Sequence, residues 1–90
     1  MALFTLILEY DGGTYISQRR SRSAADALAN YVTALRSDLE ILNSRSRTTL
    51  ANAFSGETPA KLEGIRNAWC CSVSVGNKFA LLNLIRTAER

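Results

Sequence analysis

The first strong pattern along the chain is a hairpin. Residues 3–10 are rich in apolar and aromatic side chains, and residues 14–18 resume an extended pattern. Asp11, Gly12 and Gly13 lie between them, and these residue types adopt the positive φ of a tight turn. The pattern predicts two antiparallel strands. It leaves open which face of the hairpin is buried, because changing the loop from two to three residues inverts every side chain.

A helix is predicted after the hairpin. Ser23 is a good N-cap, and the carboxylate of Asp26 is favourable beside the positive end of a helix. Apolar side chains then recur at helical spacing at Leu28, Tyr31, Val32, Leu35, Leu39 and Leu42. The spacing predicts one long helix over residues 24–42, about 28 Å in length, that ends at Asn43 or Ser44.

Residues 44–67 carry weaker signals. Residues 49–54 are compatible with a short helix that stops at Gly56. Thr58 and Pro59 are typical of a helix start, which predicts a second short helix that ends at Gly64. Neither segment is long enough to be a stable helix by itself.

The last third of the chain predicts a second hairpin. Trp69, Cys71, Val73 and Val75 alternate with smaller or polar residues, as in a half-buried strand, and Gly76-Asn77 fits a two-residue turn. Residues 79–87 are compatible with a strand or a helix, and the strand is favoured. A two-residue turn sets three pairs on one apolar face, namely Trp69 with Leu84, Cys71 with Leu82, and Val73 with Ala80.

These elements predict an α+β fold. Their order is strand, strand, long helix, one or two short helices, strand, strand, which indicates a two-layer sandwich with a four-stranded antiparallel sheet and the long helix packed on one face. The chain has 90 residues, and residues 1–90 are interpreted as a single domain, because this length supports one core and not two.

Composition excludes several kinds of chemistry. The hydrophobic fraction of 47% and the net charge of +3 are those of a folded chain. The chain has no histidine, so it lacks the commonest general base and metal ligand, and no Cys-x-x-Cys spacing begins a zinc site. We therefore expect a non-enzymatic protein with no metal and no cofactor.

The cysteines and the apolar segments predict a location. Cys70 and Cys71 are adjacent, so they point to opposite faces of a strand and do not staple distant segments. No apolar run approaches the length of about 20 residues that spans a bilayer, and the apolar start is too short for a signal peptide. We expect a cytoplasmic protein without a membrane partner.

Two groups of arginines are the most suggestive polar feature. Arg19, Arg20 and Arg22 follow the first hairpin, and Arg45 and Arg47 follow the long helix. Arginine suits phosphate contacts, so these residues are candidate nucleic-acid contacts. The predicted helix places the two groups at its opposite ends, and the net charge is small, so solvated loop ends are the favoured interpretation.

The first third of the chain resembles a known family. Residues 6–17 form an apolar strand, an acidic-glycine turn and an aromatic strand, and residues 23–31 form a Ser-capped helix start. This combination over residues 6–31 is similar to the N-terminal domain of HicB-type antitoxins, which are small bacterial proteins. The resemblance implies a cytoplasmic α+β domain that binds a toxin protein with a double-stranded-RNA-binding-like fold. It assigns no functional residue here.

Two functional hypotheses follow. The first is a protein–protein interaction or regulatory module that pairs with itself, as a dimer, or with another protein, because a small open sheet leaves edges and apolar surface to bury. Its candidate interface or core layer consists of Trp69, Cys71, Val73, Leu82 and Leu84. The alternative is an RNA-binding domain that uses the five arginines, for which affinity falls steeply with salt.

Overall fold

The structure of the chain is a computed structural model that describes residues 1–37 and 39–89. Its elements are β1 (Ala2–Tyr10), β2 (Gly13–Ser21), α1 (Ala24–Ser37), α2 (Ser44–Phe54), β3 (Ala60–Lys61), β4 (Ala68–Val75) and β5 (Lys78–Thr87). The strands form one sheet in the order β2-β1-β5-β4-β3, and all neighbours are antiparallel. The predicted α+β class is confirmed, with five strands in place of four and two helices of comparable length.

The first hairpin has a two-residue loop. Tyr10 pairs with Gly13, and Asp11 and Gly12 have φ values of 50° and 81°, as a type I′ turn requires. This loop length settles the register that the sequence left open. It places Phe4, Leu6 and Leu8 on the buried face, and the alternate residues of β1 on the other.

The second hairpin forms as predicted. Val75 pairs with Lys78, and Gly76 has a φ of 65°, which fits the glycine at the first central position of a type II′ turn. Residues 79–87 belong to strand β5 and not to a helix. The three predicted pairs are all present: Trp69 with Leu84, Cys71 with Leu82, and Val73 with Ala80.

Helix α1 begins as predicted and ends earlier. The Ser23 hydroxyl accepts a hydrogen bond from the Asp26 backbone N–H at 3.1 Å, and the Asp26 carboxylate accepts one from the Arg22 N–H at 3.1 Å. The helix ends at Ser37, whereas the apolar spacing predicted residues 24–42; Asp38 lies outside the described residues. Leu39 and Leu42 are half-buried against the core although they are not helical, so the apolar stripe continues through a packed loop.

The expected helix stop is the start of α2. The Asn43 side chain accepts a hydrogen bond from the Ser46 N–H at 2.8 Å and so caps α2 at its N-terminus. The helix predicted over residues 49–54 is thus the second half of an 11-residue helix. Asparagine is favoured both after a helix and as the cap of the next one, and the structure uses the second property.

The helix predicted between Thr58 and Gly64 is wrong. Ala60 and Lys61 form strand β3 against β4, and the backbone N–H of Leu62 donates to the carbonyl of Ala68 at 3.0 Å. The backbone of this segment therefore takes its hydrogen bonds from the sheet edge. Pro59 precedes the short strand, a position that a proline tolerates.

Both helices lie on one face of the sheet, which we call the covered face. Helix α1 contacts β2 and β5, and α2 contacts α1 and β4. The core between the layers contains the following buried side chains: Phe4, Leu6, Leu8, Ala24, Ala27, Leu28, Tyr31, Leu35, Leu50, Ala51, Phe54, Cys71, Ala80, Leu82 and Leu84. Over residues 1–37 and 39–89, no helix has the length and apolar character needed to cross a membrane.

Candidate functional site

The second face of the sheet, which we call the open face, carries no helix in the described part of the chain and has many apolar side chains. Its large apolar residues are Leu3 and Ile7 on β1, Ile16 on β2, and Phe79, Leu81 and Ile85 on β5. Ile16 is 66% exposed, Phe79 61% and Ile85 38%. Several exposed apolar side chains on one face of a small protein are typical of an interaction site.

The two central strands explain where these side chains come from. β1 reads Ala-Leu-Phe-Thr-Leu-Ile-Leu-Glu-Tyr and β5 reads Lys-Phe-Ala-Leu-Leu-Asn-Leu-Ile-Arg-Thr, so both are apolar at odd and at even positions. A strand with one solvated face alternates apolar and polar residues, whereas a strand covered on both faces reads as a nearly continuous apolar run. The sequences of β1 and β5 thus fit a sheet with cover on both faces.

Pairing across the sheet arranges the open face in rows. The central row consists of Ile16, Ile7, Asn83, Cys70 and Ala60, on β2, β1, β5, β4 and β3. On one side of it lies the row of Gln18, Thr5, Ile85 and Ala68, and then the row of Arg20, Leu3 and Thr87. On the other side lies the row of Thr14, Glu9, Leu81 and Ser72, and then Phe79 with Ser74.

Polar contacts hold one end of this face. The Gln18 amide donates to the Thr5 hydroxyl at 3.0 Å, and the hydroxyls of Thr5 and Thr87 are hydrogen-bonded to each other. The guanidinium of Arg20 donates to the Glu89 carboxylate, with an Nη1–Oε2 distance of 2.9 Å. This ion pair raises the pKa of Arg20 and lowers the pKa of Glu89. This contact places Glu89 beside β2.

The first arginine group does not form one surface. Arg20 is on the open face, where it pairs with Glu89, while Arg19 is half-buried on the covered face, because neighbours in a strand alternate. Arg22 is exposed, and its Nε lies 3.9 Å from the Asp26 carboxylate. Two of the three candidate contacts therefore already face a carboxylate, and they point in different directions.

The second arginine group divides in the same way. Arg47 donates from Nη1 to the carbonyls of Ile41 and Leu42, both at 3.1 Å. This side chain therefore holds the loop before α2 in place. Arg45, two residues earlier, is exposed in the first turn of α2. Within this second group, Arg45 is therefore the exposed side chain that the RNA-binding hypothesis requires.

The predicted interface or core layer lies on the covered face. Cys71, Leu82 and Leu84 are buried, and Trp69 and Val73 are half-buried against the core. The ring of Trp69 packs on that of Phe4 with centroids 5.9 Å apart, and the Lys61 ammonium lies 4.8 Å from the Trp69 centroid. This layer joins the sheet to the helices, and within it Trp69 and Val73 keep part of their surface exposed.

The described residues form no well-defined site for a small molecule or a metal ion. An open cleft of about 1020 Å³ lies at the end of the sheet near Trp69. Its charged lining residues, Arg22, Arg86 and Glu89, are all exposed, so no buried polar group points into it. Within residues 1–37 and 39–89, no group of three or more cysteine or acidic side chains is placed to hold a metal ion.

The open-face residues were missed as a site by the analysis of the sequence. The sequence does carry a signal for them. The alternate positions of β1 and β5 that face away from the helices are apolar at Leu3, Ile7, Leu81 and Ile85, whereas a strand with one solvated face has polar residues there. The register of the first hairpin was needed to place Ile16 beside Ile7 on this face. The pattern alone did not supply that register.

Comparison with known proteins gives no indication of the function. No protein-family model, no curated protein and no solved structure matches this chain. The resemblance of residues 6–31 to HicB-type antitoxins stays a prediction.

Proposed function

We propose that this protein is a non-enzymatic interaction module that binds another protein surface with the open face of its sheet. The observation that carries the proposal is the exposure of Ile16 and Phe79, which are 66% and 61% exposed. They lie near Ile7 and Leu81, whose strands β1 and β5 are apolar on both faces. Burial of such side chains stabilises a complex by about 1.5–3 kcal/mol each. A protein surface is the partner that offers apolar area of this shape.

The composition of the face favours a protein over RNA. Apart from Arg20, which pairs with Glu89, the rows of the open face hold apolar and neutral residues and one carboxylate, Glu9. Phosphate binding needs several unpaired cations on one surface. An RNA-binding role is the alternative, and it depends on Arg45 and on arginines that are already engaged elsewhere.

The experiment compares two isoleucines of similar exposure. The tagged chain is captured from a nuclease-treated extract of its native cells, as wild type, as Ile16→Glu and as Ile65→Glu. Ile65 is 59% exposed and lies outside the sheet, in the loop between β3 and β4. A carboxylate buried in an apolar contact costs several kcal/mol, so we expect Ile16→Glu to lose co-purifying protein by at least about tenfold.

The control separates binding from folding. At a concentration where the chain is monomeric, we expect both variants to keep the wild-type free energy of unfolding within about 0.5 kcal/mol, because both side chains are exposed. Equal recovery of partner protein by the two variants would contradict the proposal. Recovery that disappears with nuclease in the wild type would favour RNA in its place.

A further inference from the structure

We infer that the occupant of the open face is a second copy of this chain, packed sheet against sheet about a two-fold axis that runs along the central row of the face. This inference rests on the proposed function and adds the identity of the partner and its orientation. Residues of the central row then lie opposite themselves across the interface, and the helices cover the two outer faces of the pair.

The area of the face fits a dimer. Its four long strands have eight to ten residues each. At a strand spacing of about 4.8 Å and a rise of about 3.4 Å per residue, they form a surface of about 600 Å² per copy. Two such surfaces bury about 1,200 Å², the lower bound for a specific interface. Two copies thus supply the second cover that the sequences of β1 and β5 indicate.

The rows match themselves under this rotation. Turning one copy about the central row exchanges the row of Ile85 with the row of Leu81, so Ile85 of each copy faces Leu81 of the other on β5. Ile7 and Ile16 lie on the axis row and face their own equivalents. Asn83 also lies on this row, where two amides are able to hydrogen-bond to each other. Apolar side chains therefore meet apolar ones along the axis row and at Ile85 and Leu81, and Asn83 meets its own equivalent, while Phe79 of each copy faces Thr87 of the other.

The position of Glu9 favours the same direction of the axis. The rotation about the central row sets Glu9 of one copy over the polar side chain of Thr5 of the other. A two-fold axis parallel to the strands, between β1 and β5, sets Glu9 over Leu81 and Ile7 over Asn83 instead. That arrangement buries a carboxylate and an amide against apolar groups, which costs free energy.

Cys70 makes the arrangement measurable. It is free, half-buried and on the central row, so the two copies of Cys70 face each other across sheets that pack about 10 Å apart. This separation exceeds what a direct disulfide spans, and it suits a short bismaleimide. We expect the wild type to give a covalently linked dimer with this reagent. Cys71→Ala should give it as well, and Cys70→Ala should not.

A cysteine away from the axis is the matched control. Ser74 is on the same strand and face, two rows from the central row, so the rotation sets its two copies about 27 Å apart. The variant Cys70→Ala with Ser74→Cys should therefore remain unlinked. Linking of this variant as fast as the wild type would overturn the proposed axis.

The mass in solution separates the two proposals. We expect light scattering after gel filtration to show a concentration-dependent rise from one chain to two in the wild type and in Ile65→Glu. In Ile16→Glu the dimer should be weakened at least about tenfold. A monomer at every concentration would overturn the second copy as occupant, and the capture experiment would then still decide whether the face binds a different protein.

Discussion

Cys70 and Cys71 are consecutive in β4, yet they lie on opposite faces of the sheet. Cys71 pairs with Leu82, is 5% exposed and belongs to the core between sheet and helices. Cys70 pairs with Asn83 on the open face and is half-buried. Burial raises the pKa of the Cys71 thiol, and the charge of Glu57 adds to the effect. Cys71 therefore behaves as a small core hydrophobe.

The first prediction is that the two thiols react at different rates. The thiolate is the reactive form, and Cys71 is both shielded and less ionised at a given pH, because burial raises its pKa. At a concentration low enough for the folded chain to be monomeric, we expect iodoacetamide to modify Cys70 at least about tenfold faster than Cys71 at about pH 8, as measured by mass spectrometry of the intact chain and its peptides.

The variants Cys70→Ala and Cys71→Ala assign the fast phase. The slow rate should remain in Cys70→Ala, and the fast rate should remain in Cys71→Ala. In urea, where burial is lost, both thiols should react alike. Equal rates in the folded wild type would contradict the placement of Cys71 in the core.

The two hairpins show what the sequence predicts well. Asp11-Gly12 and Gly76-Asn77 have local conformational preferences that fix a turn type, and the pairs of β4 with β5 follow from the turn. The end of α1 was not predictable in this way, because Leu39 and Leu42 keep a helical spacing while they pack from a loop. In that loop, Leu42 has a φ of 55° and its carbonyl accepts a hydrogen bond from Arg47.

The open face can be recognised only in the assembled sheet. Its residues come from distant parts of the chain, and Ile7 meets Ile16 only through the register of β1 with β2.

The five candidate arginines have roles that the sequence does not distinguish. They look alike in the sequence, whereas the structure pairs Arg20 with Glu89 and directs Arg47 to backbone carbonyls. Partners separated by up to 69 positions in the chain leave no local pattern.

The second prediction concerns alkaline pH. Tyr31 is 1% exposed in the middle of α1, and burial raises its pKa from the ordinary value of 10.0, against a smaller opposing effect from the charge of Arg19. Above that value the unfolded chain loses the phenolic proton while the folded chain keeps it. The unfolded state then binds fewer protons, so the free energy of unfolding falls as pH rises.

The variant Tyr31→Phe isolates this effect. In wild type, the tyrosine contributes a loss of about 1.4 kcal/mol per pH unit above its unfolded pKa, until the pH reaches the raised pKa of the folded state. Urea unfolding from about pH 9 to about pH 11 should show a shallower decline in Tyr31→Phe, with the two proteins diverging only above about pH 10. Parallel curves over the whole range would show that Tyr31 ionises in the folded protein as it does in the unfolded chain.

The third prediction separates two arginines that lie one turn or less apart. Arg47 donates hydrogen bonds to the carbonyls of Ile41 and Leu42 at 3.1 Å, and Leu42 has a φ of 55°, a conformation that a leucine adopts at a cost. Loss of this charged donor leaves the strained loop without support. We expect Arg47→Gln to lower the free energy of unfolding by about 1–2 kcal/mol.

Arg45→Gln is the matched control, because Arg45 is on the same helix and exposed. Its effect on unfolding in urea should stay within about 0.5 kcal/mol. Phosphate binding by this group predicts a different result, namely that both substitutions weaken RNA affinity and reduce its salt dependence to a similar extent. If Arg47→Gln kept the wild-type stability and lost RNA affinity, Arg47 would be a nucleic-acid contact and not a support of the loop.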